Sequence, residues 1–300
     1  MKYANDAISS IGLLSMDCFN RDDVIKSLEY DRTAVGTRTS KVTSHVDSSG
    51  DIFKFCTGLY EKMLEVHGDR FMFIPDTIVD SFMIKNISEV EAVNLIDSNG
   101  TKQMMKLSNV VISAGSQSYD LCQTLGIPCP IFPVKGYIIT FHSKKDINVN
   151  LLLGKSKAFV SPMGNDKYHL SGCAEFLSHY NNTQRAYDID QVRVNALIDE
   201  ARTVFTDMKV QNVDCGFRPL SPDDIPLVGG TTKFENVFLN TGSGSKGWTQ
   251  GPGCGRLLSE IMLGLEVSVD PSAYSPRRFD WSWPFLQDGV SSQGSEIYHH

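Results

Sequence analysis

The chain has 300 residues, 41% hydrophobic and 21% charged, which is enough apolar material for a buried core and excludes a disordered chain. A net charge of −7 without a long Lys/Arg run excludes a nucleic-acid binder, because phosphate recognition needs clustered cations. Seven cysteines, odd in number, widely spaced and without a C-x-x-C pair, argue against a disulfide frame or zinc site and for reduced thiols inside a cell.

Residues 1–50 are weakly patterned, with short helices expected at 6–16 and 22–30 and a loop rich in Thr, Ser and Gly at 33–50. The apolar patch at 11–16 is too short for a signal sequence or a transmembrane helix. The expected setting is therefore cytoplasmic, or peripheral at a membrane, or mitochondrial. Residues 51–67 read as a helix, since Phe53, Cys56, Tyr60, Met63 and Leu64 recur at helical spacing and Asp51 stands where a carboxylate caps free N–H groups.

Short strands are expected next, at 71–74, 78–85 and 90–96. The turn Ser98-Asn99-Gly100 should return the chain as a partner strand at 101–107. Residues 109–113 (NVVIS) form a continuous apolar run, the mark of a strand covered on both faces. It leads into the small turn Ala114-Gly115-Ser116 and a helix at 117–125. A small turn between a buried strand and a helix marks the carboxyl edge of an open sheet, where α/β folds bind ligands.

After Pro128, Pro130 and Pro133, strands are expected at 134–141, 158–161 and 168–171, the last two flanking a turn at 162–165. A long helix follows at 188–205, then strands at 210–217, 225–228 and 237–239. Six glycines crowd the stretch from Gly242 to Gly255, more than an ordinary loop carries. Glycine lets backbone approach a flat or anionic ligand without a Cβ in the way. The helix that follows aims its free N–H groups and positive dipole end into the turn. Such geometry suits a phosphate, a carboxylate or the electron-rich edge of a flavin; a flexible loop before a surface helix is the plainer alternative.

An expected strand delivers Arg218 in CGFRPLSPDDIPLVGG, with Pro219 and Pro222 stiffening the far side. Its planar fork matches a carboxylate with two parallel hydrogen bonds, so it is either a substrate anchor or the partner of Asp223 or Asp224. Lys135 reads as a solvated strand-entry residue. Tyr137 is a candidate substrate contact and equally a strand-packing residue. Lys246 lies within the glycine turn, facing a flavin edge or water, and Ser243 is small enough for close backbone approach. The histidines show no metal-ligand spacing, and neither a Ser/His/Asp arrangement nor a paired-carboxylate motif is readable, so no metal and no acid–base residue is assigned.

Three segments, PVKGY (133–137), GFRPLSPDDIPLVG (216–229) and NVFLNTGSGSKGWTQGPGCGRLL (236–258), together resemble the FAD-dependent D-amino acid dehydrogenases, within the wider D-amino acid oxidase-like flavoenzymes. DSSGDIFKF, VVISAGSQSYDLCQTLGIPCPIFPVKGY and HLSGCAEF follow in the family's order, so the similarity covers roughly residues 47–274. The resemblance implies a mixed α/β (α+β) fold: an incomplete FAD-binding Rossmann-like domain interleaved with an antiparallel-sheet substrate domain. The implied division is a weakly patterned segment (1–50), a partial FAD-binding domain (51–130), a substrate domain (131–224), a returning FAD-binding segment (225–278) and a tail (279–300).

It further implies FAD contacts from Ala114 and Gly115 and a cover over the isoalloxazine from Gly242, Ser243, Gly244, Lys246, Gly247, Trp248 and Thr249. Arg218 would bind the substrate carboxylate. The implied reaction is hydride transfer from the Cα of a D-amino acid, followed by hydrolysis of the imino acid to a 2-oxo acid and ammonia. A quinone or oxygen would take the electrons.

Two departures stand out. The family's turn reads Gly-His-Gly, whereas this one reads Gly242-Ser243-Gly244, which removes an imidazole near the flavin. The family also opens with a strand, G-x-G-x-x-G and a helix. The front of this sequence has only Gly12 and Gly36 before Gly50 and no such fingerprint. The expectation is that a long N-terminal portion of the family pattern is missing. The ADP half of FAD would then be held another way, by a partner chain or an incomplete site of low affinity, or the chain is a truncated or degenerate relative acting at most as a binding module. A glycine- or sarcosine-type amine oxidase on the same scaffold is a third reading.

Overall fold

A computed structural model describes residues 50–177 and 187–280. The helices expected at 6–16 and 22–30 lie outside these residues. These residues divide into two compact units, one of 50–72, 136–174 and 187–216, the other of 73–135, 175–177 and 217–280.

In the first unit, α1 (Ile52–His67) starts where expected: the Asp51 carboxylate accepts the N–H of Phe53 at 3.0 Å and of Lys54 at 3.3 Å. None of its side chains is buried. The rest of the unit is built on a five-stranded sheet in the order β6-β7-β8-β5-β9, comprising β5 (Phe132–His142), β6 (Leu151–Leu152), β7 (Phe159–Gly164), β8 (Lys167–Phe176) and β9 (Lys209–Leu220). The strands β5 and β9 run across the unit boundaries. The β7–β8 turn is Asn165-Asp166, both with positive φ, rather than the four residues from Pro162. Pro162 and Met163 belong to the strand.

One face of this sheet packs on α2 (Gln191–Arg202), whose Val194, Leu197, Ile198 and Ala201 are buried. This helix is shorter than expected because Asp190 caps it, accepting the N–H of Val192 at 2.9 Å. Close approach of sheet and helix requires Gly172: a Cβ there would stand 2.7 Å from Leu197 Cδ2. Phe141, Tyr168 and Phe205 cluster with centroids 5.0–5.3 Å apart in the core, Phe141 stacked on Tyr168 and edge-on to Phe205.

The second unit begins with an antiparallel meander of β1 (Thr77–Asn86), β2 (Glu89–Asp97) and β3 (Lys102–Lys106). As the Asn-Gly signal implied, β2 and β3 join through a tight turn, in which the Asp97 carboxylate accepts the N–H groups of Asn99 and Thr101. Residues 71–74, expected as a strand, are not one: Phe71 is extended, but no ladder partner exists for it among the described residues.

A second sheet runs β10-β11-β4, from β4 (Val110–Ile112), β10 (Leu227–Gly230) and β11 (Val237–Thr241). The pairing of β4 and β11 is parallel, with Val110 opposite Val237. Full covering of β4 is not observed: Ile112 is buried, but Val111 is 41% exposed. The Asn236 side chain bonds both backbone groups of Val90 and the Ser108 carbonyl, tying the meander to this sheet. Helices α3 (Ser118–Leu125) and α4 (Gly247–Met262) complete the unit. Cys122 and Cys129 lie in its core, and the neighbouring Cys129, with burial, pushes the Cys122 thiol far up, as befits inert core hydrophobes.

Candidate functional site

The two turns singled out from sequence lie side by side in the second unit, because the strands feeding them, β4 and β11, are parallel neighbours. Both turns therefore leave the carboxyl edge of the same strand pair. Thr241, the last residue of β11, stitches them. Its hydroxyl donates to the Gly115 carbonyl at 3.1 Å and accepts from the buried Ser118 hydroxyl at 3.0 Å. Gly115 has φ +59°, a left-handed conformation that suits glycine.

The glycine turn proper is short, Gly242 to Lys246; from Gly247 onward the glycines lie inside α4. Gly242 has φ +80°, and a Cβ there would stand 2.8 Å from Ile131 Cδ1 and 3.0 Å from Leu227 Cδ1. Its lack of a side chain serves the protein's own packing. Ser243 closes onto the helix: its hydroxyl oxygen stands 2.9 Å from where a Cβ on Gly247 would be. This contact needs the pair Ser243 and Gly247 to stay small.

Arg218, Pro219 and Leu220 form the end of β9, which the structure extends beyond the expected residue 217. This strand end is bridged to the glycine turn. Leu220 pairs with Ser243, and the Gly244 N–H donates to the Pro219 carbonyl at 2.8 Å. Arg218 is thus one residue from a backbone bond to the turn.

The aspartates once weighed as its partners each hold another cation. Asp223 accepts from Arg278 Nε at 2.8 Å and Nη2 at 3.0 Å, and Asp224 accepts from Lys246 Nζ. Burial raises the Asp223 carboxyl, but the Arg278 hydrogen bond, the Ile225 N–H and the arginine charge together hold it below the usual carboxylate value. The Lys246 ammonium, expected to face a flavin edge or water, is paired with Asp224.

At the start of α4, Lys246 provides no side-chain cap, so the N–H groups of Gly247, Trp248 and Thr249 begin a helix with its positive end undressed by a side chain. Further along, Gly251, Gly253 and Gly255 have nothing within 4 Å of a built Cβ. Four glycines and Pro252 in one helix oppose its stability, at about 1 kcal/mol for each interior glycine. The sequence keeps this helix bare despite that cost. Gln250 Oε1 is shielded from solvent and accepts no hydrogen bond. Bare backbone, uncapped donors and an orphaned acceptor fit the ring of a flavin placed against the turn.

Sequence reading missed that Gly242, Gly244 and Gly247 are themselves spaced G-x-G-x-x-G between a parallel strand and a helix. Counting the spacing would have found it. Among the described residues no strand follows α4, so the second strand whose end would hold a ribose is lacking there. The fit is to the ring side of FAD, not its ADP half. Asn236 and Thr241 were also missed; nothing in their local sequence marks bonds that span more than a hundred residues.

Two expected residues are placed in cores or interiors. Tyr137 is 0% exposed in the core of the first unit, and its hydroxyl accepts the Asp190 N–H at 3.3 Å. Its ring packs within the core of the five-stranded sheet. Lys135, expected in water, is buried at 4% exposure.

Among the described residues no helix is long and apolar enough to cross a membrane. A D-amino acid dehydrogenase of Dechloromonas aromatica is 31% identical over 275 residues, spanning 88% of this chain and 60% of the relative. One from Rhizobium rhizogenes is 30% identical over 241 residues, spanning 78% and 53%. The chain thus spans little more than half the length of the curated relatives it matches. Among solved structures, L-proline dehydrogenase from P. horikoshii shares the fold at a TM-score of 0.66 and 17% identity, covering 78% of this chain and 61% of that one. Glycine oxidase from Geobacillus kaustophilus does so at 0.57 and 16%, covering 67% and 52%. The sequence pattern of the FAD dependent oxidoreductase family matches residues 53–261. With that match over most of its length, the chain belongs to the FAD dependent oxidoreductase family.

Proposed function

We propose that this chain forms the flavin-ring and substrate-carboxylate side of an oxidoreductase acting on a D-amino acid, with a 2-oxo acid and ammonia as products. The observation that carries the reading is the bond from the Gly244 N–H to the Pro219 carbonyl, which straps the glycine turn to the strand end bearing Arg218. The two relatives named D-amino acid dehydrogenase support the choice of substrate class.

When bound, FAD supplies the acceptor for the hydride that leaves the substrate Cα. The chain's share is position. The Arg218 guanidinium anchors the carboxylate with paired charge-assisted hydrogen bonds. The backbone of Ala114 and Gly115 and the stretch Gly242–Thr249, with Ser243, Lys246, Gly247 and Trp248, hold the cofactor against the carboxyl edge of β4 and β11. Helix α4 would offer its N-terminal donors to the cofactor. Water then hydrolyses the released imino acid, and a quinone or oxygen removes the electrons.

One observation favours a second reading, a binding module without catalysis: among the described residues no strand follows α4 to hold a ribose. Adding FAD to the purified chain and removing the excess separates the two. A retained yellow chromophore, bleached by a D-amino acid, supports the enzyme; protein that stays colourless supports the module.

A further inference from the structure

In a dinucleotide-binding turn spaced G-x-G-x-x-G, the second glycine leaves room for the cofactor's pyrophosphate to reach the backbone. Here that glycine is Gly244, with φ +54°, and the room is taken. A Cβ on Gly244 would stand 2.9 Å from Asp224 Oδ1 and 3.3 Å from Leu220 Cδ1. The other oxygen of the same carboxylate is bound to Lys246 Nζ, two residues along the turn. Asp224 itself has φ +57°, a conformation that side chains rarely adopt and that Asp tolerates better than most. Its N–H donates to the Ser221 carbonyl at 3.2 Å. The next carboxylate, Asp223, turns to Arg278 instead, so two adjacent acids brace one loop on two different cations.

We propose that Asp224 is the turn's own anion: its carboxylate, held by Lys246, fills the seat beside Gly244 and bars phosphate groups from it. The turn then admits an uncharged ring edge and rejects a pyrophosphate. This deepens the reading of the site as a flavin-ring contact, because it states which half of a dinucleotide cofactor the turn faces. Both groups of the pair are about half exposed, at 49% and 46% of their side-chain surface, so an added phosphate would meet the Asp224 charge through little intervening protein.

The test uses the full chain with its glycines isotopically labelled, titrated with inorganic pyrophosphate and followed at the amide resonances of Gly242, Gly244 and Gly247. In the unaltered protein these resonances should not titrate. In Asp224→Asn, which keeps shape and backbone preference but loses the charge, they should saturate, with affinity at least about tenfold above the unaltered chain. Asp224→Gly, suited to the left-handed φ, should gain likewise and covers the case in which the Asn variant misfolds. Asp223→Asn frees an arginine away from the turn and should leave the three resonances unmoved. The inference is overturned if the unaltered protein titrates as tightly as Asp224→Asn, or if neither Asp224 variant gains affinity. FAD retention is read separately, so a chain that stays colourless can still pass or fail this titration.

Discussion

The Thr241 hydroxyl donates to the Gly115 carbonyl while accepting from the hydroxyl of Ser118, a relay of 3.1 and 3.0 Å that joins the turn after β4 to the turn after β11. Ser118 and Thr241 are both buried, so bulk water is not at hand to replace a lost partner. Thr241→Val keeps the shape and removes the relay. The expected loss is about 1–3 kcal/mol, the cost of orphaning buried polar groups. Denaturant unfolding should show a lower midpoint at an unchanged slope; an unmoved midpoint would show the relay to be dispensable.

Glycines in the same stretch should respond in opposite directions. Gly242→Ala places a Cβ 2.8 Å from Ile131 Cδ1 at a φ of +80°, and should destabilise by about 1–3 kcal/mol. Gly251→Ala lies in a helix with open space around it and should stabilise by about 0.5–1 kcal/mol. Paired thermal melts of the two variants check this. Equal shifts of the same sign would mean that the turn and the helix are not distinguished by packing.

Arg218→Ala in flavin-loaded protein should raise KM for a D-amino acid steeply while altering kcat less, because a carboxylate anchor binds ground state and transition state alike. A lost charge-assisted bond costs about 1.5–3 kcal/mol, or roughly tenfold to a hundredfold in KM. Arg218→Lys should recover only part, since a point charge lacks the fork. Unchanged steady-state kinetics in the alanine variant would dismiss the anchor.

Acid should loosen the loop after β9. The Asp223 carboxyl sits below its ordinary value in the folded chain: burial raises it, but the Arg278 bond and charge and the Ile225 N–H together outweigh burial. A depressed folded value means that the unfolded chain binds its proton first as pH falls. The contribution is therefore complete above the ordinary carboxyl value of about 3.9 and is lost below it, toward the folded value. Unfolding midpoints measured across that acid range should fall less steeply in Asp223→Asn than in the unaltered protein.

Where periodicity and turn chemistry carried the information, the sequence was legible. The Asp51 cap, the hairpin at Asn99-Gly100 and the strand–turn–helix units at Ala114 and Gly242 all follow from local residue choice. What was illegible depends on partners distant in sequence. Residues 71–74 have the composition of a strand but join no ladder among the described residues. Asp223 and Asp224 looked like natural partners for Arg218, and no local rule reveals that Arg278 and Lys246 hold them. The crowded glycines read as clearance for a ligand, yet Gly242 clears space for Ile131 and Leu227. A missing side chain looks the same in sequence whether backbone, ligand or another side chain comes close.

Helix α1 spans sixteen residues without one buried side chain, and Phe53 keeps 76% of its surface in water. In isolation a helix of this length is marginal, since propensity seldom repays nucleation and tertiary packing normally supplies the difference. Its amides should thus be among the first in the chain to take up deuterium, within the same experiment in which the aromatic core around Phe141 stays dark longest. Any surface that shelters Phe53 and its neighbours would reveal itself by slowing that uptake, without need of a substrate or a colour change.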